Sequence, residues 1–221
     1  MRIMIVTDQY TPMVGGVTTV TRGLATEFAN RGHKVWVAAP GIQARDSQDI
    51  DHNVDIYYFS SFRWPIYEGM RIPFLPFIPF RRLLKKTEPD IIHIHSPVVL
   101  GNIARIEASR LRKPVVITNH YLPVNLSPSL RADTKISKPF NTMFYSYLVR
   151  LYNRCEYVTA PTMTALNLLY EHGLHAPARV ISNGIDLKRF SPHLPDKQLL
   201  QRFMLPQDRP LILSVNRLSR E

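Results

Sequence analysis

Several short stretches of this 221-residue chain set chemically capable side chains beside glycine or proline. The first, DQYTPMVGGV (8–17), carries Asp8 and Tyr10 and ends on the pair Gly15–Gly16, where a helical pattern begins. Free N–H groups and the positive end of a helix dipole attract anions there. With no side chain in the way, a phosphate can approach the main chain itself. A glycine pair at a helix entry also arises for conformational reasons alone, and both readings stand. HIHSP (93–97) sets His93 and His95 on one side of a strand and adds Ser96. TNHY (118–121) closes another strand on Asn119, His120 and Tyr121. A histidine at a strand end can donate a hydrogen bond or carry charge beside a reacting oxygen, and a polar residue satisfied in the core is its bland alternative. Metal ligation by His93 and His95 would need further ligands; none stands nearby in sequence, so no metal is expected.

The elements that must position these residues read off the hydrophobic pattern. RIMIV (2–6), KVWVAAP (34–40), VDIYYFS (54–60), DIIHIHS (90–96), PVVITNH (114–120), EYVTAPT (156–162) and ARVISN (178–183) are expected strands. VTTVTRGLATEF (17–28) repeats apolar residues at helical spacing and stops at Gly32. Strand–helix alternation of this kind predicts α/β architecture: a Rossmann-like, doubly wound parallel sheet with right-handed crossovers. In such sheets ligands sit beyond the carboxyl ends of the strands. The stretches above all fall in those loops, together with APT (160–162) and SNGID (182–186).

Two segments interrupt the rhythm. Residues 61–80 carry Pro65, Pro73, Pro76 and Pro79, too many breakers for a regular element; RRLLKK (81–86) then reads as a basic helix. Residues 121–139 are a second long, proline-bearing loop, and loops of this length are often functional. At the end of the chain, RPLILSVNRLSRE (209–221) reads as the first strand of another domain. The expected organisation is a domain over 1–192, then a link and first strand over 193–221.

With 28 Lys and Arg against 17 Asp and Glu, the net charge is +11, which favours phosphates, nucleic acid or an anionic membrane face. No nucleic-acid motif accompanies the charge, and basic clusters are confined to 81–86 and 105–113, so nucleic acid is not an expected partner. The aromatic and basic segment 62–86, with Phe62, Trp64, Tyr67, Phe74, Phe77 and Phe80 beside Arg71, Arg81, Arg82, Lys85 and Lys86, has two readings. It is a membrane-facing surface, or a proline-stiffened loop packed on the sheet. The lone Cys155 excludes an internal disulfide and suits a reducing compartment. MRIMIV lacks the pattern of a secretory leader, and no apolar run reaches the roughly 18–20 residues of a bilayer span. The expected location is cytoplasmic, with association at the inner membrane face as a further expectation.

Taken in order, D-x-Y-x-P-x-x-G-G-V (8–17), H-x-H-S-P (93–97) with Gly101, T-N-H (118–120), A-P-T (160–162) and S-N-G-I-D-L-x-x-F-S-P (182–192) resemble the GT-B glycosyltransferases of family 4, also called glycosyl transferase group 1. The resemblance runs the length of the chain. It implies two Rossmann-like domains around a cleft, with this chain as the acceptor-binding first half, and retaining transfer from a nucleotide-diphosphate-sugar with no cofactor and no bound metal. It also implies that Gly15, Gly16 and Arg217 meet the donor diphosphate and that His120 is the cleft histidine at the transferred sugar. Asp8, Tyr10, Ser96, Asn119 and Tyr121 are expected against the acceptor. Asn183, Gly184 and Asp186 mark the interdomain crossing. Trp64, Arg81, Arg82, Lys85 and Lys86 are expected at an anionic membrane. Lipid-acting members, of the phosphatidylinositol mannosyltransferase or diacylglycerol glycosyltransferase kind, favour a lipid acceptor. The family's donor-side lysine and glutamates have no counterpart in these residues, so continuation past Glu221 and inactivity of this half alone are expected. The alternative is a non-catalytic basic module that binds a membrane or other anion. A nucleotide-sugar epimerase of related fold is a third reading, which the N-G-I-D segment disfavours.

Overall fold

The computed structural model describes residues 1–42, 46–64, 71–121, 137–192, 197–206 and 209–215. They fall into two units, Met1–Gly184 and Ile185–Glu221.

The first unit is built on an eight-stranded sheet. Its strands are β1 (Arg2–Val6), β2 (Lys34–Pro40), β3 (Ser47–Asp51), β4 (Val54–Phe59), β7 (Ile91–Ile94), β8 (Val115–Thr118), β9 (Tyr157–Ala160) and β10 (Ala178–Val180), and their order is β10-β9-β8-β7-β1-β2-β4-β3. All neighbours are parallel except β3, which pairs antiparallel with β4 at the edge. SQDID shows no apolar alternation, which is why β3 was not legible as a strand. The chain grows outward from β1 to β2 and β4, then returns to β7 on the other side of β1. That reversal creates a switch point between β1 and β7, the place where open α/β sheets take ligands.

The alternation along β1 explains the two-faced core. Met4 and Val6 join the larger cluster with Ile92, Ile94, Ile117 and Val158, covered by α3 (Leu100–Arg110), α4 (Ser137–Tyr152) and α5 (Met163–Glu171). Ile3 and Ile5 join the smaller cluster with Val35, Val37 and Ile56, against Ala25 of α1 (Gly16–Asn30).

The proline-rich stretch is more ordered than its breakers suggest. Residues 61–63 and 71–73 form a hairpin, β5 (Ser61–Arg63) with β6 (Arg71–Pro73), and α2 runs from Phe77 to Thr87. Arg71 staples the hairpin to the end of β2, donating from Nε to the Gly41 carbonyl and Ser61 Oγ, both at 2.8 Å. Pro79 is tolerated because it lies in the first turn of α2, where N–H groups have no helical acceptor.

In the second unit, α6 (Lys197–Arg202) is the helix among the described residues. The run RPLILSV, expected as a strand, is not one over 209–215: no strand among the described residues pairs with it, and Ile212, Leu213 and Val215 are exposed. A β-strand exists only through a ladder with a neighbour, so apolar β-branched sequence alone does not make one.

Candidate functional site

The loops after β1 and β7 meet at the switch point, and Asp8 joins them. Its carboxylate accepts the backbone N–H groups of Val98 (3.2 Å), Val99 (3.3 Å) and Leu100 (2.9 Å), the first turn of α3. Helix starts leave such donors without partners, and a carboxylate there is favoured by the dipole. Burial nevertheless pushes the Asp8 pKa up to about 6, with the same N–H groups pulling the other way. Gly101 completes the joint. A Cβ at that position would lie 2.0 Å from the Ser96 carbonyl oxygen and 2.8 Å from Ile94 Cγ2, so α3 sits flat on the β7 loop only because residue 101 has no side chain.

Three histidines meet at the carboxyl ends of β7 and β8. The His93 and His95 rings are 4.2 Å apart by centroid, and His95 Nδ1 lies 2.9 Å from His120 Nε2. His93 Nε2 is 2.7 Å from Thr118 Oγ1, which is 2.7 Å from Thr159 Oγ1, so one polar row crosses β7, β8 and β9. Burial depresses all three imidazoles: His93 and His120 fall to about 4, and His95 well below its ordinary value, with its two histidine neighbours adding to the effect. The trio is therefore neutral at pH 7. His95 Nε2 is buried without a hydrogen-bond partner among the described residues. If His95 donates from Nδ1 to His120 Nε2, only a lone pair is left unmatched there; this tautomer, assigned from the bonding pattern, puts the proton of His120 on Nδ1.

Around the histidines, Asn119 Oδ1 accepts from Tyr152 Oη (3.0 Å) and from the Tyr121 N–H (3.1 Å), and Ser96 Oγ is 2.7 Å from Tyr121 Oη. The sequence reading sets Ser96 and Asn119 against an acceptor. Both are instead sealed inside, at 0% and 1% exposure, and fix the shape of the loops. Asp8 and Tyr10 are buried too, but they line a cavity of about 290 Å³ with Pro40, Ile42, Arg63 and Arg71. Arg63 carries no distinguishing motif around it, and only the hairpin brings it there.

The Gly15–Gly16 turn contrasts with the α3 joint. Gly15 is the N-cap of α1 in extended conformation, no side chain caps the helix, and its first turn holds no acidic residue. A Cβ at either glycine would meet nothing within 4 Å. Among the described residues, packing does not require glycine at these two positions.

The remaining expected site residues are scattered. Phe80 is buried in the core with Leu83, Leu84 and Thr87, because α2 turns these positions inward at helical spacing. Phe62, Phe74 and Phe77 are exposed, Trp64 is half-buried, and Tyr67 lies outside the described residues. The Arg81 guanidinium is held by the Glu107 carboxylate at 2.8 and 3.0 Å, which leaves Arg82, Lys85 and Lys86 as the exposed basic face of α2. Asn183 and Gly184 end the first unit and Asp186 is the second residue of the next, where its carboxylate accepts the N–H groups of Lys188 and Arg189. Arg217 lies outside the described residues. Cys155 is buried and its thiol is pushed up to about 12 by that burial, so it is no nucleophile. Among the described residues no three His, Cys, Asp or Glu side chains converge as metal ligands, and no helix is long and apolar enough to cross a membrane.

Comparison with known proteins places this geometry. The description of Glycosyltransferase Family 4 matches residues 14–189, more than half of the chain. The chain belongs to glycosyltransferase family 4. A GDP-mannose-dependent alpha-mannosyltransferase of Corynebacterium glutamicum is 29% identical over 195 residues, covering 87% of this chain and 45% of that protein. An alpha-monoglucosyldiacylglycerol synthase of Streptococcus pneumoniae is 28% identical over 239 residues, covering 100% and 50%. This family 4 chain thus spans about half the length of the curated relatives it matches. Sucrose-phosphate synthase of Thermosynechococcus elongatus superposes with a TM-score of 0.63 at 16% identity, over 95% of this chain and 54% of that one. Likeness at that identity speaks for the fold, a Rossmann-like half of the GT-B architecture.

Proposed function

We propose that this chain is the acceptor-side half of a retaining hexosyltransferase that moves a sugar from a nucleotide-diphosphate-sugar to a membrane lipid. The observation that carries the reading is the start of α1: an uncapped helix N-terminus, flanked by two glycines that no packing among the described residues requires. Such a turn can receive the donor diphosphate, its N–H groups supplying the counter-charge that a metal supplies elsewhere. His120, neutral and assigned as an Nδ1–H donor, is suited to hydrogen-bond the transferred sugar. Arg217, as the resemblance implies, would add positive charge at the diphosphate. Tyr10 and Tyr121 remain the acceptor-side candidates, with the cavity at Arg63 and Arg71 as room for part of that acceptor. The relatives' names, a GDP-mannose-dependent mannosyltransferase and a diacylglycerol glucoside synthase, support mannosyl or glucosyl transfer and a lipid acceptor.

The membrane part of the proposal rests on α2 and its approach. Phe74, Leu75, Phe77 and Ile78 are all exposed, at 48–68%, and the basic side chains of Arg82, Lys85 and Lys86 follow within three turns. Apolar groups that dip into the interface beside cations that meet anionic lipid make a reversible anchor. Inactivity of this half without a donor lobe and residence at the cytoplasmic face belong to the same proposal.

The test is made in the protein that carries both lobes, screened against nucleotide-sugars with lipid acceptors. His120→Ala is expected to lower turnover by about 10²–10³-fold, the scale for removing one preorganised donor, without a matching loss of thermal stability. Equal loss of both would return His120 to a purely structural role. The basic charge and the α2 surface also fit a second reading, a non-catalytic anion-binding module. Tight binding to anionic vesicles with no transfer from any donor would select it.

A further inference from the structure

The edge of the sheet opposite His120 carries a separate cluster. At the amino ends of β8 and β9 lies a cavity of about 330 Å³, lined by Arg105, Ser109, Arg112, Lys113, Arg154 and Glu156, with Pro114 and Val115 as its floor. Three pieces of chain build it. Arg105 and Ser109 are one turn apart on α3 and so share a face. Arg112 has a left-handed backbone (φ 51°) that ends the helix, and the Lys113 N–H turns back to the Ala108 carbonyl at 2.9 Å. Arg154 and Glu156 come from the turn between α4 and β9.

Six cations elsewhere in the unit are paired with acids; among the described residues those of the cavity are not, a condition they share with the exposed Arg82, Lys85 and Lys86 of α2. Arg2, Arg22, Arg31, Lys34, Arg81 and Arg110 all have carboxylate partners within 4 Å. Among the described residues none of Arg105, Arg112, Lys113 and Arg154 has one. The one acid of the cavity, Glu156, is tied to the backbone, accepting the Val115 N–H at 2.6 Å. Asp90, whose carboxyl feels Lys113, is already bonded by the Arg2 backbone and side chain. Arg105 Nε is buried and has no hydrogen-bond partner among the described residues. A buried guanidinium N–H is rarely left without an acceptor, and four like charges around one hollow repel each other unless an anion joins them.

We propose that this cavity is an anion site that takes a phosphoryl group of a small ligand, a diphosphate or a phosphate ester, on Arg105, Arg112, Lys113 and Arg154. The planar forks of the arginines suit bidentate bonds to phosphate oxygens. The volume lies at the small end of the range for ligand sites, which fits a diphosphate or a phosphorylated sugar better than a whole nucleotide-sugar. The site lies at the other edge of the sheet from the histidines and does not depend on the transferase reading.

The test titrates inorganic pyrophosphate into the full chain by calorimetry at 0.15 M salt. Two double variants remove the same charge from different places. Arg154→Gln with Lys113→Gln strips the cavity, and Arg179→Gln with Lys188→Gln strips two exposed positions away from it. Saturable binding that weakens tenfold or more in the first variant and is unchanged in the second, with melting curves alike, is the expected result. Absence of saturable binding, equal weakening in both variants, or binding untouched by the first overturns the proposal. A parallel flotation assay with phosphatidate-containing and pure phosphatidylcholine vesicles identifies the source. Loss of phosphatidate binding in the first variant alone points to a lipid headgroup, and retention of it points to a free phosphate.

Discussion

Helices α1 and α3 begin at the same edge of the same sheet, one after β1 and the other after β7, and their first turns are finished in opposite ways. The α3 turn is closed by the molecule itself: Asp8 takes its N–H groups and Gly101 lets it lie on the Ser96 carbonyl. The α1 turn has no capping side chain, no acid and open space over both glycines. A helix N-terminus is thus closed once as a structural joint and once carries no side-chain cap among the described residues. Motif glycines at the two places consequently mean different things. Gly101 answers to a contact inside the chain. Gly15 and Gly16 meet no such contact among the described residues, and the proposed function gives them an external one.

The contrast breaks most visibly at Gly101. Gly101→Ala drives a methyl into a backbone carbonyl that cannot turn aside, and a loss of about 3 kcal/mol or more is expected, at the upper end for overpacking. Chemical denaturation measures it, and a near-neutral result would mean that the α3 joint is not tight. Asp8→Ala comes next. It strands three backbone donors in a buried place and is expected to remove about 2–3 kcal/mol, with Asp8→Asn losing less because one amide oxygen still accepts.

The pH dependence sharpens the comparison further. The unfolded chain binds more protons than the folded one wherever its histidines are charged and the buried trio is not. Stability is therefore full above about pH 6.5 and is lost as pH falls toward 4. Asp8 has the opposite sign. Its folded pKa of about 6 exceeds the unfolded value of 3.8, so acidification over that range favours the fold at this one residue. The three histidines outweigh it, and the urea midpoint is expected to drop between pH 7 and pH 4.5. In Asp8→Asn, which lacks the opposing group, that drop should be steeper; a shallower one would contradict the assignment. The smallest effect on stability belongs to Gly16→Ala, where a better helix former enters open space and a gain of up to about 1 kcal/mol is expected. If that same variant costs turnover in the two-lobed protein, the α1 turn has an external occupant. Unimpaired turnover would remove the case for a diphosphate there.

Much of this arrangement was legible without coordinates, because period-two and helical spacing report which face is buried. The strand carrying His93, the strands that lead into His95 and His120, the helix after the Gly15–Gly16 pair and the loops at the carboxyl edge all follow from apolar pattern and glycine placement. What the pattern lacked was partnership. SQDID has no alternation and becomes β3 only because β4 offers it an edge, whereas the apolar RPLILSV forms no strand over the described residues. The proline-rich stretch hid a hairpin held by Arg71, and it mixed the core residue Phe80 with the surface residues Phe74 and Phe77 until the turn of α2 separated them.

The sequence by itself determined the alternation of strand and helix, and with it the sheet and the end of it on which the polar loops gather. It also determined the excess of positive charge. Only the tertiary structure decided which side chains are already spoken for: Asp8 by α3, Ser96 and Asn119 by neighbouring tyrosines, Arg81 by Glu107, and the cations at 105, 112, 113 and 154 by no carboxylate among the described residues. The physical reason is range. Periodicity is a property of neighbours a few residues apart, while the satisfaction of a buried charge or hydrogen bond depends on groups as far apart along the chain as Asp8 and Leu100, 92 positions.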